Sequence, residues 1–120
     1  MNRNMPDEMV IVDFAVHNYE TFRKTFSLET GSGAKADLSG RTVRGQVRPD
    51  PTSSTLTASF TCSVSTASAS LTIELASEIT AGITPGEYVY DVALCWRESG
   101  KDCRKYLVGG KLTVLPSVTH

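Results

Sequence analysis

The sequence predicts an all-β fold, an immunoglobulin-like antiparallel β-sandwich of about seven strands. Most apolar clusters recur at every second position, which is the period of a strand and not of a helix. These clusters are short and are separated by Gly, Pro and Ser turn signals. A length of 120 residues suits one such domain. We therefore divide the chain into an N-terminal arm, residues 1–8, and a single sandwich domain, residues 9–120.

Three strands are predicted before the Pro-Asp-Pro segment that starts at Pro49. Met9–Val16 is β-branched and aromatic with its apolar side chains at even positions, which predicts one strand with Asp13 on the opposite face. Thr21–Leu28 alternates apolar and polar residues as a half-buried strand does. Thr42–Arg48 forms the third, and the prolines end it because they cannot donate to a ladder.

Four more strands are predicted from the Ser- and Thr-rich stretch onward. Even apolar spacing over Leu56–Cys62 and Leu71–Leu75 indicates two strands that flank a turn near Ala67–Ser70. Glu87–Trp96 and Cys103–Leu115 then form a hairpin.

Two features are predicted around the connection from Leu71–Leu75 to the hairpin. Ala76–Ile83 can make one helical turn with Ser77 as its cap, but Gly82 and Pro85 end it, so we predict a corner and not a helix. Tyr88 stands just after the Pro-Gly corner that begins at Pro85, and this pattern resembles the tyrosine corner of immunoglobulin-like sandwiches. The alternative is an ordinary buried strand tyrosine.

Composition excludes several classes of partner. Twelve Lys and Arg balance thirteen Asp and Glu, so the chain lacks the basic surface that binds nucleic acid. The longest apolar runs are only a few residues, too short to span a membrane. The first eight residues lack the apolar segment of a signal peptide, which argues against secretion by that route. We expect no nucleic acid and no membrane as partners.

The three cysteines are Cys62, Cys95 and Cys103, an odd count that rules out a disulfide framework. If the hairpin closes symmetrically about Ser99, Cys95 and Cys103 lie opposite each other and a cross-strand disulfide is conceivable. Free thiols in a reducing compartment are the alternative that we favour.

No catalytic, metal or cofactor site is predicted. His17 and His120 lack ligand spacing, and Gly31–Ala36 matches a dinucleotide fingerprint but is followed by another turn instead of a helix. The serines of Ser63–Ser70 lack a nucleophile elbow. Asp91 is expected to point outward, near Arg or Lys of a neighbouring strand. We expect no enzyme activity, no cofactor and no small-molecule substrate.

An ordered set of segments is similar to the small immunoglobulin-like proteins and N-terminal domains of tailed bacteriophages, of the baseplate upper protein type. A G-x-Y-x-Y-D strand and a terminal G-x-L-x-V strand followed by V-T are its most recognisable parts. The chain departs from the family at Tyr19-Glu20, where Gly-Asp is usual. The matching segments are Tyr19–Phe22, Asp37–Gly40, Val43–Arg48, Leu71–Leu75, Glu78–Thr80, Ile83–Val92, Tyr106–Val114 and Val118–Thr119.

The resemblance implies a non-enzymatic virion structural protein of the tail, baseplate, neck or fibre-attachment region. It implies a homo-oligomer that contacts other virion structural proteins and is found in the virion, assembled in the host cytoplasm. We expect the two long C-terminal strands to offer edges for a neighbouring copy, and the arm, residues 1–8, to be held by a partner chain. The alternatives are a capsid decoration protein, or a carbohydrate-binding module with Tyr88, Tyr90, Trp96 and Tyr106 as stacking candidates.

Overall fold

Two β-sheets pack face to face in the computed structural model, which describes residues 9–28 and 38–119. The predicted all-β, immunoglobulin-like sandwich is confirmed. The arm (residues 1–8), the Gly31–Ala36 segment and His120 lie outside the described residues. The described elements are β1 Val10–Ile11, β2 Phe14–His17, β3 Phe22–Ser27, β4 Thr42–Arg48, β5 Ala58–Ser59, β6 Thr61–Ser65, β7 Ser70–Leu75, α1 Ser77–Ala81, β8 Gly86–Glu98 and β9 Lys101–Leu115.

The larger sheet has six strands in the order β1-β9-β8-β4-β5, with β2 also beside β9, and the smaller sheet has the order β3-β7-β6. All ladders are antiparallel except those of β1 and β2, which run parallel to β9. The chain thus enters along the edge of β9 and then crosses to the smaller sheet at β3. Counted with β1–β2 and β5–β6 each as one interrupted strand, the nine described segments make the predicted seven.

The first predicted strand, Met9–Val16, is wrong as a continuous element because pairing with β9 breaks at Val12 and Asp13. The Asp13 carboxylate accepts the backbone N–H of Lys111 at 2.9 Å and so stands in for a ladder carbonyl. Opposite the break, Gly110 adopts φ +155°, and a Cβ there would lie 2.5 Å from the Val12 carbonyl oxygen. Only glycine lets the two backbones approach this closely.

The predicted strand Leu56–Cys62 divides between the two sheets. Its first part is β5, which pairs with β4, and its second part is β6, which pairs with β7. The change falls at Phe60, which is 7% exposed and whose N–H donates to the Gly45 carbonyl. Even apolar spacing continues through the change because both sheets face the same core, so periodicity alone could not reveal it.

The core lies between the sheets and is built from the inward side chains of both. Phe14, Phe22, Phe60 and Tyr90 form an aromatic cluster with ring centroids 5.3 to 6.0 Å apart. Edge-to-face and tilted contacts at this spacing add to the stabilisation from burial. The largest fully buried aliphatic side chains around the cluster are Leu38, Val47, Leu71, Ile73, Leu75, Val92, Leu94, Leu112 and Val114.

The corner after β7 is present, but the expectation that it is not a helix is wrong, because it contains a five-residue α-helix, α1. Ala76 occupies its N-cap without a side-chain hydrogen bond, so the expectation that Ser77 caps it is wrong. The helix is held instead by Thr80, which is fully buried and donates its hydroxyl to the Glu20 carbonyl. The amide of Asn18 donates to the Thr80 carbonyl as well, so tertiary contacts replace a local cap.

The hairpin of β8 and β9 turns through Ser99–Gly100, both with positive φ, as a two-residue hairpin turn requires. The turn centre falls between these residues, half a residue after the predicted centre. Cys95 is therefore opposite Arg104, and Trp96 is opposite Cys103. The symmetric closure about Ser99 that would have set Cys95 opposite Cys103 is wrong, and the two side chains lie on opposite faces of the sheet. All three cysteines are free, which is the alternative that we favoured.

Two tyrosines of β8 are fixed through their hydroxyl groups. Tyr88 donates to the Thr84 carbonyl at 2.5 Å, which confirms the predicted tyrosine corner. Tyr90 is 4% exposed and donates to the Val12 carbonyl at 2.5 Å, which joins the centre of the sheet to the break between β1 and β2. Burial, and then the charge of Asp13, raises the pKa of Tyr90 to about 12.

Candidate functional site

The outer face of the larger sheet, which turns away from the smaller sheet, carries a groove of about 630 Å³. We call it the outer groove. Its centre is formed by Arg44 and Gln46 of β4, Asp91 and Ala93 of β8, and Arg104 and Tyr106 of β9. Met9 and Ile11 border it on the side of β1.

Strand register brings these residues together. Arg44 pairs with Ala93, which pairs with Tyr106. A bulge between Val92 and Ala93 leaves Leu107 without a partner in the ladder, and it is buried. The extra residue lets Tyr106 and the following outward positions of β9 remain on the groove side. The small side chain of Ala93 makes the floor between larger flanking residues.

Asp91 is the acidic group at the centre of the outer groove. Burial raises its pKa, and the charges of Arg104 and Arg48 lower it by less. The sequence expectation of an outward carboxylate near cations of a neighbouring strand is confirmed, since Arg48 lies on β4 and Arg104 on β9.

The arginines differ in how firmly they are held. Arg48 donates to the Gln46 side chain at 2.9 Å, and Arg104 donates to the Tyr106 hydroxyl at 3.3 Å. Arg44 is exposed and has no hydrogen bond or ion pair with any residue in 9–28 or 38–119. A guanidinium with its donors open to solvent is ready to bind a carboxylate or another anion.

Two further acids, Asp13 and Asp50, also line the groove. Both accept hydrogen bonds from the backbone. Asp50 accepts the side chain and backbone N–H of Thr52, which lowers its pKa. Asp13 accepts the backbone N–H of Lys111. The groove lining thus contains the cations Arg44, Arg48, Arg104 and Lys111 and the acids Asp13, Asp50 and Asp91.

Sequence reasoning missed the arginine cluster. Arg44 and Arg48 do occupy outward positions of a correctly predicted strand, so alternation could have placed them on one face. Their meeting with Arg104 depends on the β4-β8-β9 order and on the bulge, which no local pattern shows.

The aromatic residues considered for sugar stacking separate into two groups. Tyr88 and Tyr90 use their hydroxyl groups within the fold, and the Arg41 guanidinium covers the Trp96 ring at 4.4 Å from its centroid. Tyr106 is 43% exposed and faces the outer groove. It is the exposed one of the four, since Tyr90, which also lines the groove, is buried.

A second candidate surface is the edge of β9. β8 pairs with β9 along one side and, from Val89 to Cys95, with β4 along the other. The expectation that β8 offers an open edge is therefore wrong over Val89–Cys95. β1 and β2 cover the outer edge of β9 only from Val108 onward. Among the described strands none pairs with the outer edge of Lys101–Leu107. Unpaired backbone groups of this kind can accept a strand from another chain.

Neither a metal-binding cluster nor a membrane-spanning helix occurs within residues 9–28 and 38–119. His17 is exposed with Nδ1 3.7 Å from the Glu20 carboxylate, and the described ranges hold no group of three or more His, Cys, Asp or Glu side chains placed to bind a metal ion. Within the same ranges, no helix has the length and apolar character needed to cross a membrane.

Comparison with known proteins adds no relative. A scan against protein-family models finds no matching family. A search of the curated proteins finds no match either. The residues and geometry described above are therefore the basis for the functional proposal.

Proposed function

We propose that the chain is a non-enzymatic structural protein of a tailed-bacteriophage virion, in the tail, baseplate, neck or fibre-attachment region. The observation that carries the proposal is the ordered set of phage-like segments. Val43–Arg48 lies in β4, Leu71–Leu75 in β7, and Tyr106–Val114 in β9. Ile83–Val92 contains the tyrosine corner and enters β8. These four segments are thus strands or a corner of one sandwich, which supports the proposal.

The surfaces of the sandwich suit a role in assembly. The edge of Lys101–Leu107 and the outer groove both present groups that another chain can bind. We propose that the chain forms a homo-oligomer and contacts other virion structural proteins, with residues 1–8 held by a partner. Deletion of residues 1–8 should then impair assembly and leave the fold intact, which circular dichroism and particle incorporation would measure.

A carbohydrate-binding module for host-surface recognition is the second candidate. The observation that favours it is the exposed ring of Tyr106 beside the carboxylate of Asp91, since sugars stack on aromatic rings and hydrogen-bond to carboxylates. A glycan array with the purified chain and a Tyr106→Ala control tests it. Binding that the variant loses would favour this candidate over assembly.

The decisive experiment is the copy number of the chain in purified, nuclease-treated virions, measured by quantitative mass spectrometry against the major capsid protein. A small symmetric multiple supports the proposed location in the tail, neck or fibre base. Hundreds of copies would make the chain a capsid decoration protein instead. Its absence from the particle would overturn the virion proposal.

A further inference from the structure

We propose that the outer groove docks an acidic, partly apolar segment of a protein partner. This inference names the chemistry of the partner and rests on the proposed function, in which the chain works by protein contact. Its basis is the combination of a group of arginines, an apolar border and a groove of about 630 Å³ on a sheet face that no described strand covers.

Charge complementarity at the centre points to carboxylates. The charges of Arg48 and Arg104 act on the Asp91 carboxylate, and Arg44 lines the same groove. The other two carboxylates of the lining, Asp13 and Asp50, already accept backbone N–H groups. Arg48 and Arg104 are oriented by hydrogen bonds to neighbouring side chains, and Arg44 has no partner within the described residues. Oriented guanidinium groups bind carboxylates in a paired geometry, and little side-chain entropy remains to be lost.

The apolar border points to a protein segment and not to a sugar. Met9 is 38% exposed, Ile11 is 65% exposed and Tyr106 is 43% exposed. Arg, Tyr and Met are the residue types enriched at protein–protein interfaces. An acidic saccharide would satisfy the arginines but would leave Ile11 without an apolar partner. A peptide with carboxylate and aliphatic side chains satisfies both parts of the surface.

The test is a titration of the isotope-labelled full chain, followed by NMR, with a synthetic peptide of about ten residues that alternates Glu and Leu. The matched probes are the same peptide with Lys in place of Glu and an oligogalacturonate of similar charge. The matched variants are Arg44→Gln/Arg104→Gln, in the groove, and Arg23→Gln/Lys101→Gln, which removes the same charge elsewhere. Arg23 is on the smaller sheet, where it pairs with Glu74.

We expect the Glu peptide to shift the amide signals of Gln46, Asp91 and Tyr106, and to bind at least about ten-fold more tightly than the Lys peptide. The groove variant should weaken binding about ten-fold or more, and the control variant by less than about two-fold. Higher salt should weaken binding to the wild-type chain because the arginines remain accessible to solvent.

Three results would overturn the inference: shifts confined to other surfaces, equal losses in both variants, or binding of the oligogalacturonate without binding of the Glu peptide. These results are separable from failure of the proposed function. If the chain is present in virions at low copy number but the groove does not bind the peptide, the inference alone is refuted. If the chain is absent from virions, the proposed function is refuted whatever the titration shows.

Discussion

The two faces of the six-stranded sheet use the same strands for different purposes. Along β8, Val92 and Leu94 point inward and are 0% exposed, whereas Asp91 points outward into the groove. The inner face is closed by the smaller sheet, and the outer face is not covered by any described strand. Stability is therefore expected to depend on inner side chains and binding on outer ones, although the two sets are neighbours along the chain.

The largest contrast should come from truncation on each face. Leu94→Ala removes a fully buried side chain and should cost about 2 to 5 kcal/mol in the free energy of unfolding, because a cavity remains. Arg44→Ala, on the outer face of the adjacent strand, should stay within about 0.5 kcal/mol of the wild type. Urea denaturation measures both. Similar losses would contradict the division between the faces.

The next effect concerns the edge where β1 and β2 meet β9. Gly110→Ala would place a Cβ 2.5 Å from the Val12 carbonyl oxygen at a φ of +155°. The strain and the displaced backbone should cost about 1 to 3 kcal/mol. Gly100→Ala offers a control with positive φ but nothing within 4 Å of the new Cβ, so it should cost less. An equal cost would show that φ, and not the close approach, explains the effect.

A pH effect should follow from Tyr90 on the inner face. Burial raises its pKa from 10.0 to about 12, so the folded chain keeps the proton at a pH where the unfolded chain has lost it. The stabilisation is present below about pH 10 and is lost as pH rises toward about 12. Thermal unfolding of Tyr90→Phe should show a shallower loss over this range.

The control for this effect is Tyr106→Phe, which removes an exposed tyrosine of the outer groove. It should keep the wild-type dependence on pH. If Tyr106→Phe and Tyr90→Phe flattened the curve equally, burial at Tyr90 would not be its cause.

The smallest effect is expected at Asp91. Burial raises its pKa, so the ionised carboxylate opposes folding slightly. Asp91→Asn should raise the melting temperature a little at about pH 7, and the difference should fade as pH falls through the ordinary carboxyl pKa of 3.8, because the unfolded chain then takes up the proton as well. A lower melting temperature of the variant at neutral pH would mean that Arg104 and Arg48 stabilise the charge more than burial opposes it.

Local patterns predicted the parts of the fold that depend on local sequence. Thr42–Arg48 was predicted with its observed bounds because alternation and a following proline define it. Tyr88 was predicted as a tyrosine corner because its signal spans a few residues. The change of sheet at Phe60 was not predicted, because inward positions continue at even spacing in both sheets.

The outer groove depends on pairing between distant strands. The hairpin turn is centred half a residue later than predicted. Cys95 therefore lies opposite Arg104 and not opposite Cys103. The bulge at Val92/Ala93 then set which side chains of β9 face outward. Register and bulges depend on pairing between strands that are distant in sequence. Residue types alone could therefore indicate arginines on the outer face, but not that arginines from β4 and β9 line one groove.

The most direct test of the central claim is photo-crosslinking in assembled particles, with a photoreactive phenylalanine analogue placed at Tyr106 or at Arg23. Tyr106 represents the outer face of the larger sheet and can be replaced there without loss of an arginine, and Arg23 represents the exposed side of the smaller sheet. We predict crosslinks from position 106 to an acidic segment of another virion protein, and few from position 23. Equal crosslinking from both positions, or none from position 106, would contradict the claim.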